Sequence, residues 1–107
     1  MTIFEDREDT FEKKFALDEE LLFKAAARRN KLLGLWAAEK LGMYGADAEA
    51  YAKALVIADV AKGGDEEVFL RIRSDFDAKA VQQSDHQIRR TMDELMAKAV
   101  EQIKAAG

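Results

Sequence analysis

Apolar residues return every three or four positions along almost the whole of this chain, and no proline interrupts them. That spacing matches the turn of an α-helix rather than the strict alternation of a strand, so each segment has one face to bury and another to hydrate. β-branched residues are sparse. Ala, Leu, Glu, Lys and Arg dominate, and these lose little side-chain freedom when wound into a helix. The expected fold class is all-α.

Breaks in the pattern divide it into four helices. From about Asp18 to Leu41, the positions Leu22, Ala26, Leu33 and Trp36 define a stripe that Leu21, Ala25 and Leu32 widen. Gly42 suits the positive φ that ends a helix, and Met43 can close the hydrophobic contact of a Schellman motif. A second helix, Asp47 to Ala61, puts Tyr51, Leu55 and Ala58 on one side and stops at Gly63 and Gly64. Asp65 reads as the N-cap of the third, with Glu66 and Glu67 in a first turn where the helix dipole favours negative charge. Val68, Phe69, Ile72 and Phe76 point inward from it, and it frays near Lys79 to Gln83. Ser84 and Gln87 form a capping box opening the fourth helix, whose stripe is Ile88, Met92, Leu95, Ala99 and Ile103, supplemented by Met96 and Val100. Trp36 is expected at the centre of the core, where its indole N–H needs an acceptor.

A chain of 107 residues supports one domain, and four amphipathic helices with short connections most simply form a bundle. Their lengths do not match. A first helix from Thr2 to Leu41 would reach about 60 Å, against about 20–35 Å for the others. The expected architecture is therefore a four-helix bundle over residues 20–107 with a projecting or partly disordered N-terminal arm, residues 1–19, continuous with the first helix.

That arm is the place to look for function. Phe4, Phe11 and Phe15 are spaced seven and four residues apart, returning to one helical face, and Thr2 with Glu5 fits a capping box. Residues 1–20 contain eight acidic and three basic side chains, a costly setting for full burial. The phenylalanines are expected to anchor in pockets of a partner, with Glu5, Arg7, Lys13 and Lys14 setting orientation. The competing arrangement folds the same rings back along the bundle.

Charge elsewhere is uneven. The formal net charge is −4, from 17 basic and 21 acidic residues, which disfavours a nucleic-acid partner. Beyond the acidic arm, Lys24, Arg28, Arg29, Lys31 and Lys40 face only Glu39. Arg28, Arg29 and Lys31, with Arg89 from the fourth helix, are the candidate anion-binding set, an adenine nucleotide being the alternative ligand. A solvated helical face is the ordinary reading of such a cluster, and no GxxxxGK loop accompanies it.

Other chemistry is poorly provided for. Without cysteine there are no disulfides, thiol nucleophiles or thiolate metal sites. His86 has no second histidine with which to hold a metal, the run from Gly63 to Glu67 lacks the alternating ligands of an EF-hand, and Ser84 serves as a cap. No cofactor, metal or catalytic constellation is expected, and hence no enzyme. The N-terminus lacks the charge and apolar run of a signal peptide, and nothing approaches the length of a membrane span. The chain is expected to stay in its compartment of synthesis without inserting in a membrane.

Two long blocks carry a resemblance: KFALDEELLFKAAARRNKLLGLWAAEKLG, Lys14 to Gly42, and SDHQIRRTMDEL, Ser84 to Leu95. The sequence resembles the zeta-type inhibitor subunit of alphaproteobacterial F-type ATP synthases, and Phe4, Arg7, Glu8, Phe11, Glu12 and Lys14 match the inhibitory arm of that family. Thr10 and the Ala61 to Gly64 connection depart from its pattern. The resemblance implies a four-helix bundle whose N-terminal region enters a catalytic interface of the synthase head and blocks ATP hydrolysis. It further implies the α and β subunits and the central stalk as partners, and a cytoplasmic location peripheral to the inner membrane.

Overall fold

The computed structural model describes residues 19–62 and 64–106. The expectations for Thr2 and for the arm residues Phe4, Glu5, Arg7, Glu8, Phe11, Glu12, Lys13, Lys14 and Phe15 lie outside these residues. Four α-helices, and no strand among the described residues, follow in chain order: α1 (Glu19–Lys40), α2 (Ala46–Lys62), α3 (Asp65–Ala78) and α4 (Asp85–Ala106). The all-α, four-helix expectation is met. α1 packs along both α2 and α4, and α3 closes against those same two helices.

The turns explain why the helices end where they do. Gly42 takes φ +80°, the N–H of Met43 donates to the Ala38 carbonyl at 2.8 Å, and that of Gly42 donates to Glu39 at 3.1 Å. These are the paired bonds of a Schellman ending, which satisfy carbonyls that the last turn leaves open. Met43 packs against the core as the motif requires. The same geometry recurs after α3, where Val81 donates to Phe76 at 2.9 Å and Ala80 donates to Asp77 at 3.2 Å. There the left-handed position is held by Ala80, at φ +56°, so no glycine advertises it. At the start of α4, Gln87 N–H donates to Ser84 Oγ at 3.1 Å and Ser84 N–H to Gln87 Oε1 at 2.8 Å, closing the expected capping box.

The core is built from Leu33, Ala37 and Ala38 of α1, Tyr51 and Leu55 of α2, Val68, Phe69, Ile72 and Phe76 of α3, and Ile88 and Met92 of α4. Each large aliphatic or aromatic side chain buried in this way contributes about 1.5–3 kcal/mol. α3 places inward all four residues its periodicity indicated. Trp36 differs from expectation: it is half-buried at the margin of the core, its ring centroid 5.6 Å from that of Phe76. A partly exposed indole can meet solvent with its N–H, whereas a central one would need an internal acceptor.

The buried face of α1 is also turned relative to its apolar stripe. Leu22, Ala26 and Trp36 are only half-buried, while Ala25, Arg29, Asn30, Leu33, Gly34, Ala37 and Ala38 face inward. Small residues decide this. A Cβ at Gly34 would lie 2.5 Å from Ala52 Cα, so α1 and α2 approach here almost backbone to backbone. Tyr51, beside that contact, is buried and donates its hydroxyl to Asp75 at 2.7 Å, joining α2 to α3. Burial first, and then the bond to the Asp75 carboxylate, raise the phenol pKa well above its ordinary value and keep it a neutral donor.

Opposite responses are expected at two small residues. Gly34→Ala gains about 1 kcal/mol of helix propensity but forces two backbones apart, and should lower stability by about 1–2 kcal/mol net. Ala80→Gly relieves a left-handed alanine and should raise it by about 0.5–1 kcal/mol. Urea midpoints of the two variants, shifted in opposite directions, are the check.

Candidate functional site

The basic residues singled out from sequence do not form one patch. Arg28 and Lys31 are exposed, whereas Arg29, between them, is buried. Its Nε donates to Asn30 Oδ1 at 2.6 Å and its Nη2 to Asp65 Oδ1 at 2.6 Å. Asp65 was expected to cap α3. Instead Gly64 stands at the N-cap with no side-chain bond, and Asp65 is the first helical residue, its carboxylate turned to the guanidinium. A buried cation deprived of a counter-charge costs far more than an uncapped amide, so the ion pair takes the carboxylate.

Arg89 approaches the same helix end from α4. Its guanidinium lies 3.8 Å from the centroid of the Phe69 ring, and its Nη2 donates to both Glu66 oxygens at 3.2 Å. Consecutive acidic residues, Asp65 and Glu66, thus receive arginines from α1 and α4 and fasten the start of α3 between them. An anion seeking Arg29 or Arg89 would have to displace one of these carboxylates. Arg28 takes a different partner, donating to Gln102 of α4 at 3.1 Å. That partner is a neutral amide, and Arg28 has no ion pair among the described residues.

Asn30 is wholly buried, and its Nδ2 has no acceptor among the described residues. With Oδ1 accepting from Arg29, Asn30 acts as a brace for that guanidinium, at the cost of one unmet donor.

A second surface was not legible from the residue pattern. Between α1 and α2 runs an open groove of about 550 Å³, with Ala27, Leu32, Leu35 and Val56 among its apolar lining. Arg28 and Lys31 stand on its α1 side, and a continuation along α2 adds Lys53. Glu49 is the acidic residue among those lining it. Sequence reasoning recognised the α1 basic residues but missed Lys53, Leu35 and Val56. Their shared edge exists only once two helices lie side by side. Neither Lys31 nor Lys53 has an ion-pair partner among the described residues. Among the described residues, no group of three histidines or carboxylates is placed to hold a metal ion. No described helix is long and apolar enough to cross a membrane.

Four helices clamped by internal ion pairs, with an acidic segment leading into the first and a basic groove on its flank, define a small all-α module. The comparisons make that class specific. The chain belongs to the ATPase inhibitor subunit zeta family, whose model matches residues 1–102. A solved structure described only as a "Solution NMR structure of the protein" is 42% identical, with a TM-score of 0.68, over 79% of this chain and 96% of that one. No curated protein matches. A family of inhibitor subunits places the chain among regulatory proteins.

The clamp on α3 is open to direct measurement. Asp65→Ala removes the anion facing a buried guanidinium and should cost about 1–3 kcal/mol, the range for leaving a buried polar group without its partner. In a double-mutant cycle with Arg29→Met most of that loss should vanish, because no buried charge is then left unpaired.

Proposed function

We propose that this protein inhibits ATP hydrolysis by an F-type ATP synthase. Residues 1–19 insert as an amphipathic helix at an interface between catalytic-head subunits, and residues 20–107 form the bundle that carries the arm. The observation that supports this best is that the family likeness begins at residue 1 and runs to residue 102, so it includes the arm as well as the bundle. The α and β subunits, and the central stalk they surround, are the partners this reading names. It puts the protein on the cytoplasmic side, peripheral to the inner membrane through the synthase.

The physical logic is that of a wedge. An interface that must open and close in every turnover is stopped by a body that fits only one of its states, because such binding shifts the population toward that state. Phe4, Phe11 and Phe15 lie on one face of the helical projection and supply the anchors. Glu5, Arg7, Glu8, Glu12, Lys13 and Lys14 lie around them and set register. Ordering the arm on its target would cost about 2–5 kcal/mol, which three buried rings can offset. On this reading its role is to bind and to block.

Removing residues 1–19 should leave helicity and cooperative unfolding of the remainder intact while abolishing inhibition of ATP hydrolysis by the isolated catalytic head. Inhibition retained by the truncated protein would sink the reading. Replacing Phe4, Phe11 and Phe15 together with Ala should reproduce the loss and prevent capture of the head in a pull-down.

A further inference from the structure

We propose that the groove between α1 and α2 is a resting berth for the chain's own N-terminal segment, so that residues 1–18 are withheld until the target competes them away. This rests on the arm being the inhibitory element.

Charge is the first argument. Residues 1–18 carry six acidic and three basic side chains, whereas Arg28, Lys31 and Lys53 on the groove oppose Glu49. The segment is net negative and the groove net positive. Lys31 and Lys53 have no ion-pair partner among the described residues, in contrast to Arg29 and Arg89, whose charges are already met. An acidic helix laid in the groove gives those cations a counter-charge without displacing an existing one.

Apolar surface is the second. The groove floor offers Leu35 and Val56, and it is continued along each helix by a large exposed side chain. Phe23, 62% exposed, is one turn before Ala27, and Ile57, 58% exposed, is one turn after Lys53. Apolar groups left in water beside a cleft favour an occupant with apolar teeth, and Phe4, Phe11 and Phe15 share one helical face.

Reach is the third. α1, which begins at Glu19, carries one side of the groove two turns further on, from Ala27. Eighteen helical residues span about 27 Å, and the eight-residue step from Ala27 to Leu35 spans about 12 Å. From Glu19 the groove begins about 12 Å along α1, at Ala27, and ends about 24 Å along, at Leu35, so a turn near Asp18 would lay the segment antiparallel to α1 with just the length needed. Such a hairpin of helices needs only a short connection. Self-docking is moreover intramolecular, so even weak contacts act at a high effective concentration. The berth need only be weaker than the target site to be exchanged for it.

The absence of cysteine allows a single spin label to be placed on the full-length chain, through Thr10→Cys. In the ¹⁵N-labelled protein, the paramagnetic label should reduce amide intensities at Lys31, Leu35, Lys53 and Val56 at least twofold, leaving the far face of α3 untouched. Lys31→Glu combined with Lys53→Glu, both on exposed positions, should abolish that broadening with unchanged far-UV circular dichroism. It should also speed the onset of ATPase inhibition about threefold or more, since freeing the arm raises its competent fraction. Intact broadening in the double variant, or no broadening at the groove in the parent chain, overturns the berth. So does equally strong broadening when label and ¹⁵N are carried on separate molecules, which assigns the groove to a second copy. The two readings separate cleanly. Groove broadening in a protein whose truncated form still inhibits would leave the berth standing and remove the inhibitory arm, whereas loss of inhibition on truncation without groove broadening would do the reverse.

Discussion

The bundle depends on how closely α1 and α2 can approach. At Gly34 no side chain stands between the helices, and Ala52 occupies the space a Cβ would need. This contact rotates α1 so that Ala25, Gly34, Ala37 and Ala38 face inward and the larger Leu22 and Trp36 fall to the margin. Close backbone approach gains dispersion contacts that bulky side chains would hold apart. Everything else on α1 follows from the rotation: Arg29 and Asn30 are carried into the interior, while Arg28 and Lys31 stay at the surface.

Bringing a guanidinium inside creates an obligation that α3 discharges. Asp65 turns from capping duty to meet it, and Glu66 beside it receives Arg89 stacked on Phe69. The start of α3, which follows the Gly63–Gly64 connection, is thereby held by two cations from two different helices. Tyr51 with Asp75, and Arg73 with Gln83, Asp77 and Asp85, secure the middle and far end of the same helix. Polar bonds of this kind add modest net stability, but each leaves a costly unpaired group if its partner is moved, so they specify one arrangement of helices.

Much of the fold was legible because its signals are local. The Gly42 ending, the Ser84–Gln87 box and the inward face of α3 each depend on residues within a turn or two of one another, and each is present as read. Trp36 and Asp65 were misjudged for the converse reason. Whether an indole is central or marginal, and whether a carboxylate caps its own helix or serves a distant arginine, depends on partners dozens of residues away. Ala80 escaped notice because left-handed backbone is normally betrayed by glycine. Of the candidate site, the basic residues of α1 were visible, but their division into a buried clamp and an exposed groove edge was not.

What the chain's own order of residues determined was helical identity, helix boundaries, the acidic amphipathic character of residues 1–20 and the family to which they belong. Periodicity, caps and charge runs are properties of neighbours along the chain, and neighbours are all that such a reading needs. Tertiary structure alone decided which face of α1 went inside, which arginines were consumed by internal carboxylates, and that Lys31, Leu35, Lys53 and Val56 share one groove. Those outcomes turn on the distance between helices, which a missing Cβ at Gly34 sets and no local pattern encodes.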